Sequence, residues 1–177
     1  RGQGVYIGTR HLLDYGHRRI GYAGGNPDSI LNMRRESGYK EALKEFGIPI
    51  DEELMFSTSF DIHGGFMAGE YFAGLKEKPT AIACANDMIA LGIIQHFNRV
   101  GISVPDDISI VGMDNVEFTE YFKPAITTVS NDSSEFATKA MQLLLSRMSG
   151  EYAGPPREAV CERKLLIRQT VKRLNAV

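Results

Sequence analysis

Arg35, Phe60, Asn86 and Asp114 are the side chains of this sequence best suited to holding a ligand. A guanidinium is a rigid fork of donors, an amide both donates and accepts, and a carboxylate accepts from hydroxyls. A Phe ring stacks on the C–H face of a sugar or on a nucleobase. Together these groups suit a small polar ligand with an apolar face. They do not suit catalysis. The sequence has no Gly-x-Ser-x-Gly elbow and no Walker loop. Gly21-Tyr22-Ala23-Gly24-Gly25 follows a strand but lacks the spacing of a dinucleotide fingerprint. Ser37-Gly38-Tyr39-Lys40 matches Ser-x-x-Lys by spacing only, in mid-helix and without companion motifs. His11, His17, His63 and His96 fall on separate elements, with no metal-ligand spacing. Cys84 lies in the apolar run Thr80–Ala85 and reads as core, and Cys161 is far from it. The expectation is binding, with no catalytic residue, metal or cofactor.

Residues so far apart in sequence need a fold that gathers them, and short apolar runs alternating with helical periodicity supply one. Strands are expected at Ile20–Ala23, Leu54–Thr58, Thr80–Ala85 and Ile108–Met113. Helices are expected at Val5–Tyr15, from the Gly24–Ser29 turn to about Phe46, from Asp61 to about Leu75, and from Asp87 to Gly101. The third helix is weakened by Gly64, Gly65 and Gly69. After Pro124 come a strand at Ile126–Val129, a helix from a possible Asp132/Glu135 capping box to Met148, a Gly150–Pro156 loop and a strand at Val160–Ile167. Strands alternating with helices imply an α/β fold with a doubly wound, mostly parallel sheet. Ligands of such sheets bind beyond the carboxyl ends of the strands. That edge carries the Gly24–Ser29 loop with Arg35 just after it, then Ser59-Phe60-Asp61, Asn86-Asp87 and Asp114-Asn115. Each residue also has a plainer reading. Asp61 and Asp87 suit helix caps better than ligand contacts. Asp114 could cap a short helix, Arg35 could pair with Glu36 or Glu41, Phe60 could be core, and His17 reads as a structural turn residue.

Composition narrows the partners. The chain has 177 residues, 43% of them hydrophobic and 24% charged, with 20 basic and 22 acidic residues and a net charge of −2. That balance provides no broad basic face for nucleic acid. No apolar stretch approaches the length of a membrane span. The start, Arg1-Gly2-Gln3-Gly4, is no signal peptide, and a helical pattern begins almost at once, as if the chain began inside a longer protein.

Six segments, in order, carry a family resemblance: Gly16-His17-Arg18-Arg19-Ile20; Arg35-x-x-Gly38-Tyr39; Pro79-Thr80-Ala81-Ile82; Asn86-Asp87-x-x-Ala90-Leu91-Gly92; Val104-Pro105-Asp106-Asp107-Ile108-Ser109-Ile110-Val111-Gly112-Met113-Asp114-Asn115; and Pro124-Ala125-Ile126-Thr127-Thr128-Val129. In order and spacing the chain resembles the lactose/galactose-repressor family of bacterial transcription regulators. The resemblance implies a periplasmic-binding-protein-like core of two subdomains with an effector in the cleft between them. Arg35 would clamp that effector, Phe60 would stack on it, Asn86 and Asp114 would hydrogen-bond it, and Asn131 would line the cleft. It further implies a cytoplasmic homodimer formed through the C-terminal subdomain, here the helices around His63–Phe72 and Met88–Phe97 with Tyr121-Phe122. Operator DNA would be bound through a headpiece absent from this chain, and the effector would be a sugar or similar metabolite. Residues 1–18 and 124–167 would belong to the N-terminal subdomain, and 19–123 to the C-terminal one, to which 168–177 would return. The second subdomain would then be incomplete, with damaged effector affinity and exposed apolar surface on its orphan elements. The competing readings are an extracytoplasmic sugar-binding protein of the same fold and an enzyme on a flavodoxin-like scaffold.

Overall fold

A computed structural model of the chain describes residues 3–131 and 133–174. Its helices are α1 (Gln3–Asp14), α2 (Ile30–Glu45), α3 (Ile62–Gly74), α4 (Asp87–Val100) and α5 (Ser133–Met148). Its strands are β1 (Ile20–Gly24), β2 (Met55–Ser57), β3 (Ala81–Cys84), β4 (Ser109–Met113), β5 (Thr127–Asn131) and β6 (Arg163–Leu166). The strands form one sheet in the order β2-β1-β3-β4-β5-β6. All neighbours are parallel except β6, which runs antiparallel to β5. Every residue of β1, β3 and β4 is buried, as expected of strands covered on both faces. The chain leaves β1 for β2 on one side and returns to β3 on the other. The loops after β1 and β3 therefore diverge and open a crevice at their carboxyl ends.

Local chemistry accounts for most boundaries. Asp61 caps α3 by accepting from the Gly64 N–H at 2.7 Å. The cap of α4 is Asn86 rather than the expected Asp87: its Oδ1 accepts from the Ile89 N–H at 2.9 Å. Gly101 ends α4 in the left-handed region at φ 77°, which a residue without Cβ adopts cheaply. Ile89, Ile93, Ile94 and Phe97 are buried beneath the sheet, whereas Val100, at the last turn, is exposed. The second strand is shorter than expected because Glu52–Leu54 forms a 3-10 turn capped by Asp51.

The glycines that weaken α3 in isolation serve its packing. A Cβ on Gly65 would stand 2.8 Å from the Ile89 Cα, and one on Gly69 would stand 2.7 Å from the His96 Cβ. Tertiary contact thus overrides helix propensity.

The resemblance assigns α1 and the Ile126 strand to a second subdomain, but here both share the main core. Val5, Leu12 and Leu13 of α1 are buried against β4, β5 and α2. β5 extends the sheet with Val111 opposite Thr127 and Met113 opposite Val129. α1 lays its apolar side on the face that β4 and β5 form together, which removes that surface from water. The returning segment is stitched to the same sheet: Thr170 Oγ1 donates to the Ile110 carbonyl at 2.7 Å and accepts from the Thr127 N–H at 2.9 Å. The exception is α5, which buries no residue and exposes Phe136, Met141, Leu144, Leu145 and Met148. Asp132, half of the expected capping box, lies outside the described residues.

His17 is a buried tie between distant segments. Its Nε2 lies 3.0 Å from the Lys172 carbonyl, which can only accept, so Nε2 carries the proton. Nδ1 then faces the Thr80 hydroxyl at 3.0 Å, whose one proton is also within reach of the Arg19 carbonyl at 3.2 Å. Burial pushes the pKa of His17, and of His11, below the ordinary imidazole value. The unfolded chain therefore takes up protons as pH falls through about 6.5, before the folded chain does, and stability falls with pH. The buried Asp87 carboxyl is pushed up to about 6 and has the opposite sign, favouring the folded state as it protonates. The expected result is a melting temperature that falls as the pH drops below about 6.5, with the protonation of Asp87 near 6 opposing part of the fall. His17→Gln should flatten that drop while lowering stability overall. An unchanged pH slope in the variant would remove His17 from the account.

Candidate functional site

The carboxyl edge of the sheet gathers the expected residues into one network. Arg35, in the second turn of α2, is buried, with 8% of its surface exposed. Its Nη1 donates to the Ala85 carbonyl beyond β3 at 2.7 Å, and its Nη2 reaches both oxygens of Asp114 beyond β4, at 3.2 and 3.3 Å. It does not pair with Glu36, which binds Lys40 instead. Arg35 Nε is buried without a partner. The Phe60 ring lies 5.5 Å from the guanidinium carbon and presses on Gly25, where any side chain would collide with it. The Asn86 amide caps α4 with its oxygen and donates from Nδ2 to the Phe60 carbonyl at 3.0 Å, fixing the Phe60 loop. Asn131, the last residue of β5, donates to Asp114 Oδ1 at 3.2 Å. All five expected residues therefore meet.

Asp114 is held in an uncommon backbone state, φ 103°, and Asn115 follows at φ 52°. Non-glycine residues at positive φ are strained, and surrounding structure must hold them. The Asp114 N–H donates to the Val129 carbonyl at 2.9 Å, and Asn115 Oδ1 accepts from Arg168 at 2.8 Å. Asp87 is the anchor beneath them. Fully buried, its carboxylate accepts from the Thr128 hydroxyl at 2.7 Å and from the Val116 N–H at 2.9 Å. Desolvation raises its pKa, and these two hydrogen bonds pull the other way. The sequence reading took Asp87 for a helix cap. The signal that could have identified it is Gly112 inside a strand, which marks a close approach: a Cβ there would overlap Asp87 Oδ1.

One neighbour was missed outright. Arg163, at the start of β6, lies near enough to Arg35 and Asp114 to feel both charges. It also borders a cavity of about 510 Å³ shared with Asn131, Ser133 and Phe136. Among the described residues, no group of His, Cys, Asp and Glu could hold a metal ion.

Residues 9–171 match the family model described as a periplasmic binding protein-like domain. The HTH-type transcriptional repressor PurR of Vibrio atlanticus is 35% identical over 173 residues, covering 98% of this chain and 52% of that protein. The chain spans about half the length of the curated relatives it matches. Among solved structures, the Escherichia coli transcriptional repressor ascG superposes with a TM-score of 0.88 at 26% identity, over 97% of this chain and 62% of that one. A LacI family regulator from Enterococcus faecium with bound ribose also gives 0.88, at 27% identity, over 98% of this chain and 64% of that one. The chain belongs to the periplasmic binding protein-like domain family, in the form that makes up part of the effector-binding core of lactose/galactose-repressor regulators.

Proposed function

We propose that this chain is the effector-binding part of a ligand-responsive bacterial transcription regulator, and that Arg35, Phe60, Asn86, Asp114 and Asn131 receive a sugar or similar small polar metabolite. The observation that carries this reading is the strained Asp114, held between the Arg35 guanidinium and the Asn131 amide at the carboxyl edge of a parallel sheet. A ligand hydroxyl can donate to Asp114 while a ligand oxygen accepts from Arg35. Phe60 offers the adjoining apolar face. The ribose held by the Enterococcus faecium relative is a ligand of that kind.

The work is a shift of population rather than a reaction. Only a difference in affinity between two conformations of the core moves the equilibrium, and such couplings amount to about 1–3 kcal/mol. In the whole regulator, a DNA-binding headpiece would read the operator, two copies would pair through α3, α4 and the Tyr121-Phe122 turn, and the protein would act in the cytoplasm. The test is a thermal-shift screen of sugars, sugar phosphates and purines, on this chain and on one extended upstream. Ligand at a hundred times its dissociation constant adds about 2.7 kcal/mol, which raises the melting temperature by several degrees. Asp114→Ala should abolish the rise. A rise unchanged by Asp114→Ala would move the site elsewhere, and turnover of the bound compound would make the protein an enzyme.

A further inference from the structure

The charges at the site do not balance. Arg35 is paired with Asp114, but the Arg163 side chain makes no hydrogen bond or ion pair among the described residues. Burial first, and then the nearby Arg35 charge, lower its pKa, while Asp114 raises it, so the group is partly desolvated and shares the field of the site. Glu162 borders the same cavity but forms no ion pair with Arg163 and is not among the groups that shift it. Among the described residues, Asp114 is the carboxylate whose charge acts on Arg163, and Arg35 already pairs with it.

Desolvating a guanidinium without a partner is costly, and its fork of donors matches two oxygens of one oxyanion. The cavity in front of Arg163 is about 510 Å³, within the range of small-molecule sites. Its wall runs from the Asn131 amide, which touches Asp114, past Ser133 and the Phe136 ring. Asn131 links the two parts of the site: it lines the cavity together with Arg163 and donates to Asp114, the partner of Arg35.

We infer that the ligand of this site carries an anionic group, a phosphate or a carboxylate, which Arg163 receives while the polar body of the ligand reaches Asn131, Asp114 and Arg35. The inference rests on the proposed effector-binding reading and narrows it to phosphorylated or acidic metabolites. Arg163 is the specificity residue that separates them from their neutral parents. Phe136 covers the apolar face of the same ligand.

Calorimetric titration of this chain at constant ionic strength tests it. The probes are ribose, ribose 5-phosphate and glucuronate, with inorganic phosphate, acetate and chloride as bare anions. Ribose 5-phosphate or glucuronate should bind at least about tenfold more tightly than ribose, one charge-assisted contact being enough for that factor. Whichever anion wins identifies the group. Arg163→Gln should bring the charged and neutral ligands to within about twofold of each other, and Arg163→Lys should keep part of the preference. The melting temperature of each variant without ligand checks that the fold survives. Equal binding of ribose and both charged probes, or a preference that survives Arg163→Gln, would overturn the inference. If ribose binds and loses its affinity in Asp114→Ala while charge makes no difference, the effector-binding reading stands without this inference. If no probe binds, on this chain or on an upstream-extended one, both fall.

Discussion

Gly92→Ala is expected to destabilise the protein by about 2–4 kcal/mol, a large share of the 5–15 kcal/mol that holds a typical domain together. The added methyl would overlap the Ile62 carbonyl oxygen and stand 2.5 Å from Phe66 N and 2.6 Å from the Gly65 carbonyl carbon. All three are backbone atoms, so no side-chain rotation relieves the collision and α3 must move away from α4. Gly65 faces the same crossing from the other helix, close to the Ile89 carbonyl and Gly92 Cα. Separating the helices loosens dispersion contacts around Ile89, Ile93 and Ala68, all of them buried. The intrinsic helix gain of Ala over Gly, about 1 kcal/mol, offsets only part of this. Gly74→Ala is the control: a Cβ there meets nothing within 4 Å, so this change should be neutral or slightly stabilising. Thermal or urea unfolding reads both. A Gly92→Ala protein melting within a degree or two of the parent would show that the two helices are less tightly apposed than described.

The second large effect is on binding. Asp114→Asn keeps the shape of the side chain and removes its charge. It should weaken ligand binding by about a hundredfold, equivalent to two lost charge-assisted hydrogen bonds at about 1.5 kcal/mol each. Arg35→Lys should be nearly as severe. One guanidinium serves the Ala85 carbonyl and both Asp114 oxygens at once, and an ammonium cannot reproduce that planar fork. The two variants should fail non-additively, because each removes the partner of the other. A double mutant whose loss equals the sum of the single losses would mean that the pair does not act as a unit in binding.

The sheet and its edge were legible because their signals are local. Apolar runs such as Thr80–Ala85 belong to strands buried on both faces, and alternation with helices dictates where loops collect. Arg35, Phe60, Asn86 and Asp114 followed from that edge alone. Asn131 required the family resemblance, since nothing about a lone Asn after Val129 separates it from any strand-end residue. The misassignments have physical causes. Asn86 and Asp87 are both good caps by type, and only the geometry of the β3–α4 turn decides which oxygen reaches the Ile89 N–H. Gly64, Gly65 and Gly69 weaken a helix by propensity, and their compensating contacts lie on α4, out of reach of any local window. Arg163 sits in an edge strand where a charged residue ordinarily faces water. Its nearness to Arg35 arises only from the antiparallel return of β6 along β5.

The His17 tie has a consequence for the order in which the fold can form. His17 and Lys172 are separated by 155 residues, and beside them Leu174 N–H donates to the Tyr15 carbonyl at 2.8 Å. Thr170 meanwhile closes onto Ile110, 60 residues away. The turn that launches β1 is therefore locked by some of the last described residues, however early α1 and β1 find each other. Contacts this distant carry a loop-closure cost before they return any stability, which slows folding. Until residues 170–174 arrive, the end of α1 and the start of β1 form an open seam. A chain caught in that state offers unpaired backbone at Ile110 and Thr127, where a second molecule's 170–174 segment could dock in place of its own.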